Sequence, residues 1–347
     1  MAVTMKDIAE KLNLSRTSVS YVLNGRAKEM KIPAMTVERV TKTATQMGYT
    51  MNAVAKSITT NSSNVIGFIM SNEYDVGFIL EIVNEFCRSS LEKGYITSVL
   101  TYKDTNGFKY AVRKCLEQRM AGIVALENNA KEYAYITEKL KAFKAPSVFI
   151  HSRPEEIESG IFVYTDDYKG GRMIADHLLK LGHTKIAYVD SDNDHHNTTL
   201  RLQGFIDRLA EEGLELDEKY LWRIFTEDMI LDEKGTKMLT DPELRPTVVA
   251  CGSDTSALEI LQQAYALGIK VPDELSVSGF ADMHFSRKMP VPITTIRQDF
   301  KKVGTLAFNL LKNEISLKKA GKNFGKSSTC KIPVELIVRE STAPPQR

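Results

Sequence analysis

The sequence predicts a small all-α helix-turn-helix head joined to an α/β body of two doubly wound parallel-sheet subdomains. Three observations carry that prediction. Charge is split unevenly along the 347 residues: residues 1–60 hold nine Lys or Arg against four acids, and the remainder holds 37 against 40. Near the N-terminus, apolar residues recur at helical spacing in three short runs. From Val65 onward, short apolar runs alternate with longer amphipathic ones, and the alternation restarts once. Strands alternating with helices make a parallel sheet covered on both faces, and the restart makes two of them.

In the head, Thr4 is placed to cap "MKDIAEKL", where Ile8, Ala9 and Leu12 share a face. Asn13-Leu14 makes a tight connection. Ser15 caps "RTSVSYVL", whose inner stripe is Val19, Val22 and Leu23, and Asn24-Gly25 closes it. A third helix is expected from near Thr36, with Val37, Val40, Ala44 and Met47 inward and Gly48-Tyr49 ending it. Two short helices across a three-residue turn form a helix-turn-helix, with the second placed for a major groove. That second helix crowds its outer faces with Ser, Thr, Arg and Tyr. A solvated surface would use Glu and Lys, which are better helix formers. Hydroxyls, Arg and Asn instead suit phosphates and base edges, and a basic head on a mildly acidic body suggests a polyanionic partner. The plainer alternative is a helical subdomain that only packs. Residues 50–62, "TMNAVAKSITTNS", are too short for a stable isolated helix and read as a linker that folds on a partner.

The body runs "VIGFIM", "GFILEIVNEFCRSSLEKG", "YITSVLTY", a helical stretch through Gln118, "AGIVAL", another helix and "PSVFIH". The second half runs "DDYKGGRMIADHLLKLG", "KIAYVDS", "LRLQGFIDRLAEEGL", "YLWRIF", "PTVVACGS", "TSALEILQQAYALGI" and "ELSVSGF". Ligands in such sheets bind outside the carboxyl ends of the strands, so the gap between the halves is the expected pocket. The expected divisions are a head at 1–49, a hinge at 50–62, one subdomain from 63–162 with 292–323, and another from 163–291 with 324–347.

Enzyme signatures are missing. No segment supplies a dinucleotide G-x-G-x-x-G, a phosphate-binding G-x-x-x-x-G-K-[ST] or a G-x-S-x-G elbow, so no catalysis and no cofactor are expected. The cluster Asp190-Ser-Asp-Asn-Asp-His-His196 lacks the i, i+4 spacing of a zinc pair and reads as a polar cleft loop, with no metal expected. Cys87, Cys115, Cys251 and Cys330 lie far apart and fit buried free thiols in a reducing compartment. With no signal-peptide pattern and no long apolar run, the expected location is the cytoplasm. Lys-Lys at 301–302 and 318–319 reads as solvated surface, and the terminal "RESTAPPQR" as a tail.

With head and body both read, the chain resembles the lactose-repressor (LacI/GalR) family of bacterial transcriptional regulators over essentially its whole length. The matching segments are "TMKDIAEKLNLSRTSVSYVLNG", "TVERVTKTATQMGY", "NAVAKSI", "VIGFIM", "DDYKGGRMIADHLLKLGHTKIAYV", "RLQGF", "VPDELSVSGF" and "TTIRQDF". Each is weak alone; their order and spacing are specific. The resemblance implies a periplasmic-binding-protein-like body, a homodimer on near-palindromic operator DNA, and a small-molecule effector, a sugar or related metabolite, in the cleft. It places Arg16, Thr17 and Tyr21 as base readers, since Arg can bridge guanine O6 and N7 and the Thr methyl can touch thymine. Thr4, Ser15, Ser18, Ser20 and Asn24 become phosphate contacts, with Ser15 and Asn24 also serving as plain helix caps.

"NAVAKSI" matches a hinge that lies in the minor groove, through Asn52, Ala55, Lys56 and Ile58. Ile58 stands where the family usually has Leu, Lys56 where it often has Arg, and Met51 where Pro is common. An apolar wedge there unstacks a base step at a cost of roughly a few kcal/mol. The segment "RAKEMKIPA" is longer than the family's. For the effector, the resemblance implicates Phe78 and Phe225 as stacking groups (core packing is the alternative for both), Arg201 as a grip on ligand oxygens, and Ser253 with Asp254 as a polar pair. Ala281 sits where the family holds an Asp that bonds sugar hydroxyls, and only Asp282 of that pair remains. Losing a neutral contact of that kind removes roughly 0.5–1.5 kcal/mol. The departure points to an effector other than a plain sugar, or one lying differently. A protein co-effector, or a binding protein without DNA function, are the alternative readings.

Overall fold

The computed structural model describes residues 3–50, 63–72, 76–126, 130–151, 153, 160–191, 196–225 and 229–346. It divides into two units, Met1–Ser63 and Asn64–Arg347. The expected hinge residues Asn52, Ala55, Lys56 and Ile58 lie outside the described residues, as do positions 192–195 of the polar cluster.

The first unit is built from α1 (Met5–Leu12), α2 (Arg16–Leu23) and α3 (Ala34–Gln46). Thr4 opens α1 with a capping box: its Oγ1 accepts from the Asp7 amide, and the Asp7 carboxylate accepts from the Thr4 amide at 2.7 Å. Asn13 ends the helix in the left-handed region at φ +52°, which lets the chain turn sharply into α2. Ser15 caps α2 by accepting from the Ser18 amide. The third helix starts at Ala34, after Pro33, slightly earlier than its periodicity suggests. Ile8, Val19 and Val40, one from each helix, are fully buried together, each contributing about 1.5–3 kcal/mol of burial. All the apolar positions expected to face inward belong to this cluster.

The second unit has two main sheets. The first contains β1 (Val65–Ser71), β2 (Ile96–Tyr102), β3 (Gly122–Leu126), β4 (Ser147–Ile150), β5 (Ile161–Thr165) and β12 (Ser328–Ile332), in the order β12-β5-β4-β3-β1-β2 and all parallel. Alternate residues of β3 feed the two faces. Val124 and Leu126 join α4 (Val76–Glu92) and α11 (Phe300–Lys319), while Ile123 and Ala125 join α5 (Thr105–Glu117) and α6 (Ala130–Phe143).

The second sheet has β6 (Ile186–Ser191), β7 (Leu221–Phe225), β8 (Ile230–Leu231), β9 (Val248–Cys251) and β10 (Ser276–Ser278), ordered β10-β9-β6-β7-β8 with only β8 antiparallel. It is flanked by α7 (Asp167–Lys180), α8 (His196–Ala210), α9 (Glu233–Thr240) and α10 (Asp254–Ala266). Three segments cross between the sheets: β5 into α7, β10 through β11 (Thr295–Arg297) into α11, and β12 into β13 (Glu335–Ile337). β11 and β13 pair antiparallel.

Strand pairing departs from the expected subdomain boundaries. The division at 162/163 falls inside β5, and β12, expected in the second subdomain, is hydrogen-bonded to β5 from Ser328↔Ile161 to Ile332↔Thr165. The C-terminus departs too, because "RESTAPPQR" is not a free tail. Ser341 is fully buried, donates to the Val277 carbonyl and accepts from the Thr294 amide, extending the β10 edge. Cys115 and Cys251 are buried as expected, whereas Cys87 and Cys330 are only half-buried, and none forms a disulfide. No helix among the described residues is long and apolar enough to cross a membrane.

Candidate functional site

The head exposes one edge of α2. Val19 and Val22 are buried, which turns Arg16 and Thr17 outward. Among the described residues, neither side chain makes a hydrogen bond. Tyr21 is half-buried, and the Arg26 guanidinium lies 5.5 Å from its ring centroid. Arg26 is held in turn by two bonds to Glu29, at 2.8 and 2.7 Å. The long loop after α2 thus braces the third expected base reader from behind. The five expected phosphate contacts pair locally. The Thr4 hydroxyl donates to Asp7, Ser15 and Ser18 share a 2.8 Å hydroxyl contact, and the Asn24 amide donates to the Ser20 carbonyl at 2.8 Å and to its hydroxyl at 3.2 Å.

In the body, a cavity of about 480 Å³ opens where the C-terminal ends of β4 and β5 meet the N-terminal ends of α7 and α8. His151 and Arg153 enter from the end of β4, Thr165 to Tyr168 from the β5–α7 crossing, His196 and Asn197 from the start of α8, and Lys331 from β12. His151 is buried at φ +83°, a conformation a non-glycine residue seldom adopts and one often found at functional sites. Its ring stacks on Phe78, 4.9 Å between centroids, and its Nε2 lies 3.0 Å from the Asn197 amide nitrogen. Asn197 is 5% exposed, and its Oδ1 has no partner among the described residues. The Nε of Arg153 is likewise buried without a partner among the described residues. Lys331 reaches Asp166 only at 3.6 Å.

None of the five expected effector residues lines this cavity. Two stand directly behind it: Phe78 supports His151, and Arg201 bonds to Asp167. Arg201 is committed on every side, with Nε donating to Asp167 at 2.7 Å, Nη1 to the Gly252 carbonyl at 2.8 Å and Nη2 to Gln298 at 3.4 Å. Its guanidinium also sits 4.1 Å from the Phe280 ring centroid. Gln298 returns to Thr165 and Asp167, so the cluster ties two of the three crossings to α8. Burial pushes the Asp167 carboxyl up, against the downward pull of Arg201.

Ser253 caps α10, accepting from the Ser256 amide at 3.0 Å. Asp254 is fully buried and accepts from the Met283 amide, the Ser286 hydroxyl and the Thr295 hydroxyl. Asp282 is gripped by Arg297 at 2.7 Å and by Arg339. Burial works against its charge, but the two guanidiniums outweigh it and hold its carboxyl below the usual range. Ala281 takes φ +122° beside it. Phe225 is half exposed at the end of β7.

Close contact between α7 and α8 positions Asp167, Asn197 and Arg201. A Cβ on Gly171 would lie 2.0 Å from the Arg201 carbonyl oxygen, and one on Gly204 2.0 Å from that of Tyr168. Only hydrogen fits at either crossing point. The cavity-lining residues missed in the sequence sit at strand ends, at one crossing and in the first turns of α8. The signal for the strand ends and the crossing was the polar step after each apolar run, "FIHSR" and "VYTDDY", which is visible once β5 is recognised as a strand.

A helix-turn-helix head on a two-sheet body with a polar cleft at its strand ends defines a class, the ligand-responsive transcriptional regulators. The comparisons agree. A model of periplasmic-binding-protein-like domains matches residues 175–342. The HTH-type transcriptional repressors PurR of Mannheimia succiniciproducens and of Vibrio parahaemolyticus are each 28% identical over 97% of this chain and 98% of their own lengths. A lac repressor dimer bound to operator and the anti-inducer ONPF shares the fold at a TM-score of 0.85 and 22% identity, over 99% of this chain and 100% of that one. A CelR–cellobiose complex does so at 0.69 and 22%, over 98% and 99%. In sequence the chain is thus similar to HTH-type PurR repressors, and in fold to the lac repressor.

Proposed function

We propose that this protein is a cytoplasmic repressor that binds a near-palindromic operator as a homodimer and answers to a small molecule in the body's cleft. The observation that carries the reading is the exposed edge of α2, where Arg16 and Thr17 make no hydrogen bond among the described residues and stand beside locally paired hydroxyls. Arg16 and Thr17 read bases, with Tyr21 held in place by Arg26. Thr4, Ser15, Ser18, Ser20 and Asn24 set the helix on the backbone, and Asn52, Ala55, Lys56 and Ile58 enter the minor groove.

In the cleft, the effector gives a hydrogen to Asn197 Oδ1 and oxygens to Arg153 and Lys331, resting near His151 and Tyr168. Of the residues matched to the family's effector contacts, Phe78 and Arg201 act one layer behind, and Ser253 and Asp282 shape the adjoining wall. Phe225, half exposed at the end of β7, remains free to stack on a ligand. This favours an oxygen-rich metabolite carrying a negative group over a neutral sugar. Cleft closure and operator affinity are coupled reciprocally, typically by about 1–3 kcal/mol.

Selection from a random duplex pool, with wild type and Arg16→Ala, tests the DNA reading. A two-fold palindrome from the wild type and an altered half-site from the variant are expected. No palindrome, with or without a metabolite panel present, overturns it.

A further inference from the structure

A second cavity opens at the other end of the two strands that frame the cleft. The cleft takes β4 and β5 at their C-terminal ends, through His151 and Thr165, whereas this one takes them at their N-terminal ends, through Ser147 and Ile161. Its volume is about 760 Å³, within the range of small-molecule sites. Phe149 and Phe324 give it an apolar floor, and Lys141, Lys144, Lys318 and Lys322 form a rim of one sign, with no acid among the described lining residues. Among the described residues, none of the four ammonium groups is paired with a carboxylate.

All four rim lysines stand at the C-terminal ends of two helices, α6 and α11. Lys141 and Lys318 lie in the last turns of α6 and α11, where a cation offsets the negative end of the helix. Lys144 and Lys322 lie in the caps that close those helices, where the Lys144 amide donates to the Lys141 carbonyl and the Lys322 amide to the Leu317 carbonyl. Lys144 even holds a left-handed conformation, φ +49°, that glycine would adopt without strain. Burial lowers the Lys318 ammonium from its usual value, which marks a charge partly stripped of water. Thr137 adds a buried hydroxyl without a partner among the described residues. Like charges grouped around an apolar floor repel one another until an anion sits among them.

We propose that this cavity is a second ligand site, separate from the cleft, that takes a small organic phosphate or comparable anion with a flat apolar body. The floor holds the body and the lysines hold the charge, so neither half of such a molecule suffices alone.

The test is isothermal titration of the full chain with 1-naphthyl phosphate, 1-naphthol and inorganic phosphate, on the wild type, K144Q/K322Q and K331Q. The expected result is binding of naphthyl phosphate at least about tenfold tighter than either half. That binding falls about tenfold or more in K144Q/K322Q and is unchanged in K331Q, whose substitution lies in the cleft. Both rim lysines are exposed, so the double variant keeps the wild-type melting temperature. If it does not fold, K322Q alone gives the same readout. The proposal is overturned by no saturable binding below about 1 mM, by equal binding of naphthol or of phosphate, by retention in K144Q/K322Q, or by loss in K331Q.

Discussion

Polar residues singled out in the head and in the body meet opposite fates. In the head, Arg16 and Thr17 lie exposed with no hydrogen bond among the described residues. In the body, Arg201 and Asp254 are buried, Asp282 is half-buried with its carboxylate covered, and all three are fully engaged by the protein itself. A charged residue on a thin surface helix has few structural duties, so its chemistry points to a partner. A charged residue in an α/β interior must first be satisfied, and the groups that satisfy it are often other parts of the chain. The cleft therefore presents a layer in front of the buried one: Asn197, Arg153 and Lys331 retain unused or weakly used polar atoms.

The sharpest way to break this contrast is Arg201→Met. It leaves Asp167 buried without its cation, and the expected loss of body stability is about 3–5 kcal/mol. Pairing it with Asp167→Asn restores part of that loss in urea unfolding, because the stranded charge is gone. A smaller effect is expected for Gly204→Ala, whose Cβ would strike the Tyr168 carbonyl. Overpacking of this kind costs about 1–3 kcal/mol, read as a lower urea midpoint. Arg16→Ala in the head should stay within about 0.5 kcal/mol of wild-type stability. It should nevertheless lose about 1–3 kcal/mol of discrimination at one base pair of the half-site, measured by competition with point-substituted operators.

The smallest effect concerns pH. His183 bonds Thr247 and the Ala343 carbonyl, His177 bonds Thr342, and burial holds both rings below the usual 6.5. The unfolded chain takes up these protons first as pH falls. The stability the rings contribute is therefore complete above about 6.5 and is lost as pH drops through their folded values, at no more than about 1.4 kcal/mol per pH unit each. Urea midpoints between about pH 7.5 and pH 5.5 should fall, and His183→Gln should flatten the slope.

The same contrast explains what could be read from residues alone. The head was legible because helical periodicity and capping chemistry are local: Thr4, Ser15 and the Ile8–Val19–Val40 core follow from nearby sequence. The alternating body was legible for the same reason. β5 was not, because "IFVYT" is short, fully apolar on its inner positions and runs straight into the helix that "DDYKGG" starts. Missing it shifted the subdomain boundary and hid Thr165–Tyr168 as cleft residues. β12 and the buried Ser341 were hidden because each depends on pairing with a strand far away in sequence. Arg201 was recognisable as important, but residue type does not distinguish a hand for a ligand from a bolt between crossings. Only its partners Asp167, Gly252 and Gln298 do.

The most direct test of the account is a crossed measurement on two variants. Urea stability and affinity for the selected operator are determined side by side for Arg16→Ala and Arg201→Met. The account predicts opposite signatures. Arg16→Ala keeps its stability and loses half-site preference, whereas Arg201→Met loses body stability, and while it remains folded its half-site preference is that of the wild type. An Arg201→Met body as stable as the wild type would contradict the structural role given to that cluster. An Arg16→Ala protein with unchanged half-site preference would contradict the reading of α2.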